Sequence, residues 1–522
     1  MRAGRIGFDF GSNAGMLQLE TTTYGTPAAA WWVQPPNSFS ANGHATPVAL
    51  TPAAPSRWSG TVRPLDDRLT FFLPIATNPD GTVSAFLRNP DRNLGLFIGA
   101  ERLVLSGSEV TLFGHPRGSE GKPEAIVARG TFDPQRDVLS IELPAAGGTY
   151  EFTRVPPGQP SDFYPRGFPS VPYHYRPPPA EHDGWPVDSL EAVGISRQQT
   201  EAFIQKLIDM PDASVHASDI HGILIARHGE LVLEEYFHGF DRTRLHDTRS
   251  AAKSVTATIA GAVIQQGGSS FGVATPVYAA MSGGRVPDGL DSLKRAMTVE
   301  HLLTMSSGYW CDDRNPNAPG NEDVMQMQQG QRDWYRFTLD LPMSAMPGAE
   351  TVYCGADPNL LGGVLARTTG RSVADLFRDL VATPLDISHY ALQLMPTGEA
   401  YMAGGTYFLP RDFMKLGQMM LAGGVWRGRR IVSGDWVARA SAPIRDLRGY
   451  KYGYLWWVTD YPYRGDTVRA FFAGGNGGQI VMVVPDLDLV ICFWGGNYAD
   501  PVLFVPQREF VPHDILPAVA RP

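Results

Sequence analysis

Ten prolines fall between residues 156 and 188, a stretch that opens PPGQPSDFYPRG. Each proline fixes φ and removes a backbone N–H, so neither a helix nor an interior strand crosses this segment. It reads as an extended linker that divides the 522-residue chain into residues 1–155 and 189–522. Phe163, Tyr164, Phe168, Tyr173, Tyr175 and Trp185 are apolar anchors by which the linker can lie along a surface.

The two sides have different texture. Residues 1–155 read as an all-β accessory domain, with β-rich runs at 15–20, 68–75, 82–88, 94–98, 102–105, 109–113, 125–132 and 138–143. Turn signals such as NPDG (78–81) and AAGG (145–148) separate them, and their regular spacing suggests a barrel or sandwich. Neither a helix-period segment nor a catalytic constellation is evident there. From 189 onward the pattern predicts a helix over 200–210, a hairpin over 220–237 turning at His228-Gly229, and an apolar helix over 251–266 ended by Gly267-Gly268. Mixed helices and loops occupy 290–440, strands return over 452–494, and a last helix is expected over 512–520. Strands at both ends with helices between predict an α+β domain: an antiparallel sheet closed by its N- and C-terminal segments, flanked by helices, plus a helical subdomain.

Composition narrows the function classes. A net charge of −9 gives no basic surface for nucleic acid or a polybasic membrane anchor. No apolar run approaches the roughly 18–20 residues of a membrane helix, and the first residues lack the apolar core of a leader peptide. A soluble protein is expected, cytoplasmic or, if a leader had been removed, periplasmic or secreted. Cys311, Cys354 and Cys492 are too few for a disulfide framework, although one pair could bridge; Cys354 is expected as a small packed residue. No metal or organic cofactor is expected: CxxC and HExxH are absent, and Asp312, Asp313, Glu322 and Asp323 lack calcium-loop spacing.

The chemistry starts at Ser250-Ala251-Ala252-Lys253. Residues i and i+3 share a helix face, so Lys253 can reach the Ser250 hydroxyl. The Ser250 N–H lies near the positive end of the helix dipole and can donate to an oxyanion. Among AAKSVTATIAGAV the lysine should be desolvated and its pKa lowered, which suits a base. A second Ser-x-x-Lys, residues 119–122, lies in a Gly/Pro loop without such context. Gly268-Ser269-Ser270-Phe271-Gly272 matches the nucleophile-elbow pattern but follows a helix instead of a strand. Tyr353, in Tyr353-Cys354-Gly355 before a helix, is placed to relay a proton. Ala473-Gly474-Gly475-Asn476-Gly477-Gly478-Gln479 lies between two strands, where a strand edge can offer a second oxyanion N–H from Asn476. Each element has an ordinary structural alternative: an N-cap serine with a snorkelling lysine, a core tyrosine, a glycine-rich turn.

Taken in order, these motifs resemble the serine β-lactamase and penicillin-binding-protein superfamily. RSAAKSVTATIAGAVI, TVEHLLTMSSGYWCDD, TVYCGADPNLLGGVLARTTG, RDFMKLGQMMLAGG and GGNGGQIVMVVP resemble its class C-like branch, with the family VIII carboxylesterases and 6-aminohexanoate-dimer hydrolases. The resemblance covers about 189–522. It implies Ser250 as the acylated nucleophile, Lys253 as its base, Tyr353 as the second-motif tyrosine, and Ser250 and Asn476 as oxyanion donors. It also places the region of Tyr309, Trp310 and Trp334, with Gly475 and Gly477, at the substrate pocket. Gly355 stands where many β-lactamases have Asn, and Ala473-Gly474-Gly475 stands where β-lactam-recognising members carry Lys-Thr-Gly. The expectation is therefore a serine hydrolase of carboxylic esters or small amides. The alternatives are a β-lactamase or D,D-peptidase and a non-catalytic sensor or binding module.

Overall fold

The computed structural model describes all residues except 1–3, 12–13, 22–26, 37–41, 67–68, 120, 157 and 522. Arg68 of the expected 68–75 strand and Glu120 of the second Ser-x-x-Lys lie outside the described residues.

An eight-stranded antiparallel sheet forms the centre, in the order Glu230–Tyr236, Ile220–Arg227, Leu489–Gly495, Gln479–Val484, Asp466–Gly475, Trp457–Tyr463, Tyr450–Tyr452, Arg445–Leu447. The hairpin Ile220–Arg227/Glu230–Tyr236 turns at His228-Gly229, both at positive φ (53° and 79°), which is the backbone twist a two-residue hairpin turn demands. The C-terminal strand pairs with this N-terminal hairpin (Ile223 opposite Phe493), so the sheet is closed by segments about 270 residues apart. Strand alternation sorts its side chains into two cores. Val481, Val483, Val490, Cys492 and Trp494 face the buried helix Ala252–Gln266 and the helical subdomain. Ile480, Met482, Ile491 and Phe493 face the helices Arg197–Ile208 and Pro506–Ile515. That last helix begins six residues before the expected 512, with Pro506 in its first turn and Pro512 inside it.

The N-terminal part is built on two sheets. Strands Ile75–Thr77 to Gly148–Thr153 form a seven-stranded antiparallel sheet over its own small core of Leu87, Leu103, Leu112 and Ile141. Residues 94–98, expected as a strand, form instead the short helix Leu94–Ile98 between two left-handed residues, Asn93 and Gly99. A five-residue run of Leu, Phe and Ile around one glycine fits either period, and the two left-handed ends decide the matter. The strands Gly4–Asp9, Met16–Thr21, Pro27–Gln34 and His44–Pro47 form a meander that continues into Tyr390–Gln393, Thr406–Phe408 and His246–Asp247. One sheet thus runs from the N-terminal part into the segment that leads to Ser250. Within the described residues no helix is long and apolar enough to cross a membrane.

Candidate functional site

Ser250 lies in the single 3-10 turn Arg249–Ala251, immediately before the helix Ala252–Gln266. That helix is buried all round from Ala252 to Val263 because nearly every residue is small or apolar. Gly261 is required there, since a Cβ would meet the Trp436 indole nitrogen at 2.4 Å. Arg249 has φ 48°, a conformation that costs a side-chain-bearing residue about 1–2 kcal/mol. It is held by the bond from its N–H to Asp247 Oδ1 at 2.9 Å. This strain lies immediately before Ser250, and strained backbone of this kind clusters at functional sites.

Lys253 is 1% exposed, and its Nζ donates to Ser250 Oγ at 2.9 Å and to the Ala403 carbonyl at 2.7 Å. The expected lowering of its pKa is corrected by its surroundings. Burial does disfavour the charge, but the Tyr353 phenol and the carboxyl groups of Glu322 and Asp313 outweigh it, and the lysine is held above its ordinary value. The sequence window around Lys253 is apolar, whereas its acidic neighbours come from a loop some sixty residues away, so only burial was legible.

Tyr353 is clamped from both sides. The Asp313 N–H donates to its carbonyl at 3.0 Å, and the Gly355 N–H donates to Asp313 Oδ2 at 2.7 Å. Cys354, expected as a small packed residue, is buried, and it forms a disulfide with Cys311, the one bridge the sequence had left open. Lys253 Nζ lies 5.0 Å from the centre of the Tyr353 ring, the Arg448 guanidinium lies 4.6 Å from it, and Trp457 stacks at 5.6 Å. A Cβ at Gly355 would meet the Glu322 carboxyl at 3.0 Å, so glycine leaves room for that acid. Glu322 Oε1 accepts from Tyr401 OH at 2.5 Å and from Gln326 at 3.0 Å. Burial, then repulsion from Glu322, pushes the Asp313 carboxyl up to about 7 against the opposing pull of Lys253.

The glycine-rich strand end is pressed against the serine turn. A Cβ on Gly475 would lie 2.1 Å from the Thr248 carbonyl and 3.1 Å from the Ala251 nitrogen. Asn476 follows directly. Its Oδ1 accepts from the Ala499 N–H at 2.7 Å and its carbonyl accepts from Gln479 at 3.3 Å. Its own N–H has no backbone acceptor among the described residues. Gly477 has φ 99°, and its carbonyl accepts from the Asn497 N–H at 3.2 Å.

The aromatic residues divide. Trp310 is 52% exposed. Tyr309 is buried with its hydroxyl 2.9 Å from that of Tyr278, and Trp334 is buried with its ring edge-on to Tyr401 at 5.3 Å. Both of these pack the helical subdomain. The nucleophile-elbow match at 268–272 lies in a turn after the helix end, far from any strand that could present it. Sequence reasoning passed over Asp313, Glu322, Arg448 and Trp457 as site residues. No local pattern marks one arginine among the 38 of this chain.

The chain is 26% identical over 345 residues, 60% of its length and 85% of the relative's, to a 6-aminohexanoate-dimer hydrolase of Paenarthrobacter ureafaciens. Among solved structures it is similar to EstCE1, a hydrolase with promiscuous acyltransferase activity, at 18% identity and TM-score 0.46 over 62% of this chain and 97% of that one. It is also similar to a family VIII carboxylesterase, at 18% identity and TM-score 0.44 over 58% of this chain and 94% of that one. Residues 201–494, which hold the serine turn, Tyr353 and the glycine-rich strand end, match the family described as Beta-lactamase, and the chain belongs to that family.

Proposed function

We propose that the protein is a serine hydrolase of carboxylic esters or small amides, working through an acyl-enzyme on Ser250. The observation that carries this is the buried Lys253 ammonium, bonded to Ser250 Oγ at 2.9 Å and facing the Tyr353 ring at 5.0 Å. A lysine held charged donates to Ser250 and orients it, which leaves Tyr353 as the proton acceptor. Ser250 Oγ attacks the carbonyl carbon as its proton passes to Tyr353. The N–H groups of Ser250 and Asn476 receive the oxyanion, each contributing on the order of 3–4 kcal/mol. The tetrahedral intermediate then expels the leaving group, which takes the proton from Tyr353. Water enters by the same steps in reverse order and frees the acid. Similarity to a 6-aminohexanoate-dimer hydrolase supports small amides beside esters. The lack of Lys and Thr at Ala473-Gly474 disfavours β-lactam or D,D-peptidase work. The Cys311–Cys354 disulfide supports an oxidising compartment.

The test is hydrolysis of p-nitrophenyl butyrate by the wild type and Ser250→Ala in parallel. Turnover by the wild type that is lost in the variant is expected. Turnover that survives the substitution would overturn the assignment of Ser250.

A further inference from the structure

The seven-stranded sheet that leads to Ser250 has an inner end, His246–Asp247, and an outer end, Gly4–Asp9. Among the described residues Gly4–Asp9 pairs with Met16–Thr21 alone, so its other edge is open. The hairpin decides which backbone groups that edge offers. The Phe10 N–H donates to the Gly15 carbonyl at 3.0 Å. Hydrogen-bonding direction alternates along a strand, so Ile6 and Phe8 also face Met16–Thr21, and the N–H and C=O groups of Arg5, Gly7 and Asp9 face the open edge. Such an edge is a template for another strand unless proline, a bulge or a row of like charges blunts it. Gly4–Asp9 has neither proline nor bulge, and its two charges are of opposite sign.

The two faces of the strand differ. Trp31, two strands further in, lies on the face that meets the α+β part, where it is buried and donates to Asp375. The opposite face carries Ile6, Phe8 and Phe10, which are 47%, 48% and 60% exposed. Leu19 and Leu17 stand beside Ile6 and Phe8, and Trp32 lies with its ring 5.7 Å from that of Phe10. An apolar row thus runs out to the open edge.

The strand is complementary to itself about Gly7. Antiparallel pairing of two copies there sets Gly7 opposite Gly7, Arg5 opposite Asp9 twice, and Ile6 opposite Phe8 twice. The hydrogen-bonded pairs use Arg5, Gly7 and Asp9, the groups the hairpin leaves free. Ile6 and Phe8 fall in the non-hydrogen-bonded pairs, where side chains approach closest. Arg5, opposite Glu20 in its own hairpin, comes to lie between Glu20 and Asp9 of the second copy. Asp9 is exposed, and its Oδ1 accepts the Gly11 N–H at 2.9 Å. A shift of two residues would set Arg5 or Asp9 opposite Gly7 and lose both charge pairs.

We propose that the edge strand Gly4–Asp9 is a self-association surface, through which two copies of this chain join their sheets antiparallel about Gly7. The joined sheet would run from the segment before Ser250 in one copy to the same segment in the other.

The experiment is sedimentation equilibrium of the full chain over the micromolar range, where the wild type should show a monomer–dimer equilibrium. Phe8→Lys sets an ammonium in the apolar row and should weaken the dimer about 10-fold or more. Gly7→Pro removes an N–H that the hairpin does not use, so it should abolish the dimer and leave the far-UV circular dichroism unchanged. A Cβ at Gly7 meets only the movable Met16 side chain, with Sδ at 3.0 Å. Arg5→Glu and Asp9→Arg each set like charges opposite one another twice, so each alone should be monomeric where the wild type is dimeric. Mixed in equal amounts, the two variants bring opposite charges together at both pairs and should form a dimer. A wild type that stays monomeric throughout the range would overturn the proposal. So would a dimer that Phe8→Lys or Gly7→Pro leaves unchanged, or a mixture of the two charge variants that associates no better than either alone.

Discussion

In the proposed mechanism Ser250, Lys253 and Tyr353 act as a unit, so single substitutions should be as damaging as double ones. Ser250→Ala and Lys253→Ala should each reduce kcat by about 10⁴-fold or more on any ester the wild type cleaves, and their combination should add little. Multiplicative losses in the double variant would show that the two act separately. Asp313 gives the site a titration of its own. Its carboxyl is pushed up to about 7 and accepts the Gly355 N–H, two residues beyond Tyr353. As pH rises through 7 it ionises, strengthens that bond and favours the Lys253 ammonium, so kcat/KM should rise along a limb near pH 7. Asp313→Asn should remove that limb from the profile. The stability effect has the opposite sign. Below about pH 4 both folded and unfolded chains hold the proton, and between there and pH 7 only the folded chain does, so the Asp313 contribution is lost as pH rises through 7. Asp313→Asn should flatten that slope in the melting temperature.

Two connections between elements hold the Ser250 turn and the Tyr353 segment in place. The strand end at Gly475 touches the serine turn so closely that Gly475→Ala would place a methyl 2.1 Å from the Thr248 carbonyl. The backbone must then part, and the Asn476 N–H moves with it. The expected result is a loss of kcat of about 100-fold, the scale of one oxyanion donor, with KM less affected. An unchanged kcat would mean that the Asn476 amide takes no part. The Cys311–Cys354 disulfide ties the acidic loop to the segment of Tyr353 across 43 residues. Removing it should cost about 2–4 kcal/mol, read as a lower melting temperature in Cys311→Ser/Cys354→Ser. The denatured, unreduced wild type should titrate with a single thiol, that of Cys492.

At the scale of the whole molecule, the N-terminal part reaches the Ser250 turn through charged contacts. Arg92 pairs with Asp247 at 2.8 Å, and Asp247 in turn holds the strained Arg249 that precedes Ser250. Arg88 pairs with Asp212 at 2.6 Å, both side chains almost fully buried. Trp31, buried on the meander, donates to Asp375 at 3.2 Å and packs against Tyr390. Deleting residues 1–188 would therefore leave Asp247 without Arg92 and the strand Tyr390–Gln393 without its partner His44–Pro47. The truncated chain should fail to fold into a soluble monomer. Within the full chain, Trp31→Ala should cost about 3–5 kcal/mol by denaturant titration. A soluble, active fragment beginning at 189 would show that the shared sheet is dispensable.

The proline run, the buried helix after Ser250, the hairpin at His228-Gly229 and the closing strands were all legible in the sequence, because each is dictated by local chemistry: a missing N–H, an apolar period, a turn that needs positive φ. Ser250, Lys253, Tyr353 and Asn476 stood out for the same reason, as short patterns attached to elements that are themselves legible. What only the tertiary structure decided depends on distance through space. The charge state of Lys253 follows from Glu322 and Asp313, which no window around residue 253 contains. The pairing of Cys311 with Cys354, the burial of Tyr309 and Trp334, and the entry of N-terminal strands into the sheet before Ser250 follow from how remote segments pack. The place of Arg448 is the plainest case. Its turn dipeptide, Arg448-Gly449, has the same residues as the turns Arg427-Gly428 and Arg464-Gly465, and only the neighbours that folding brings to each turn make one of the three face the Tyr353 ring.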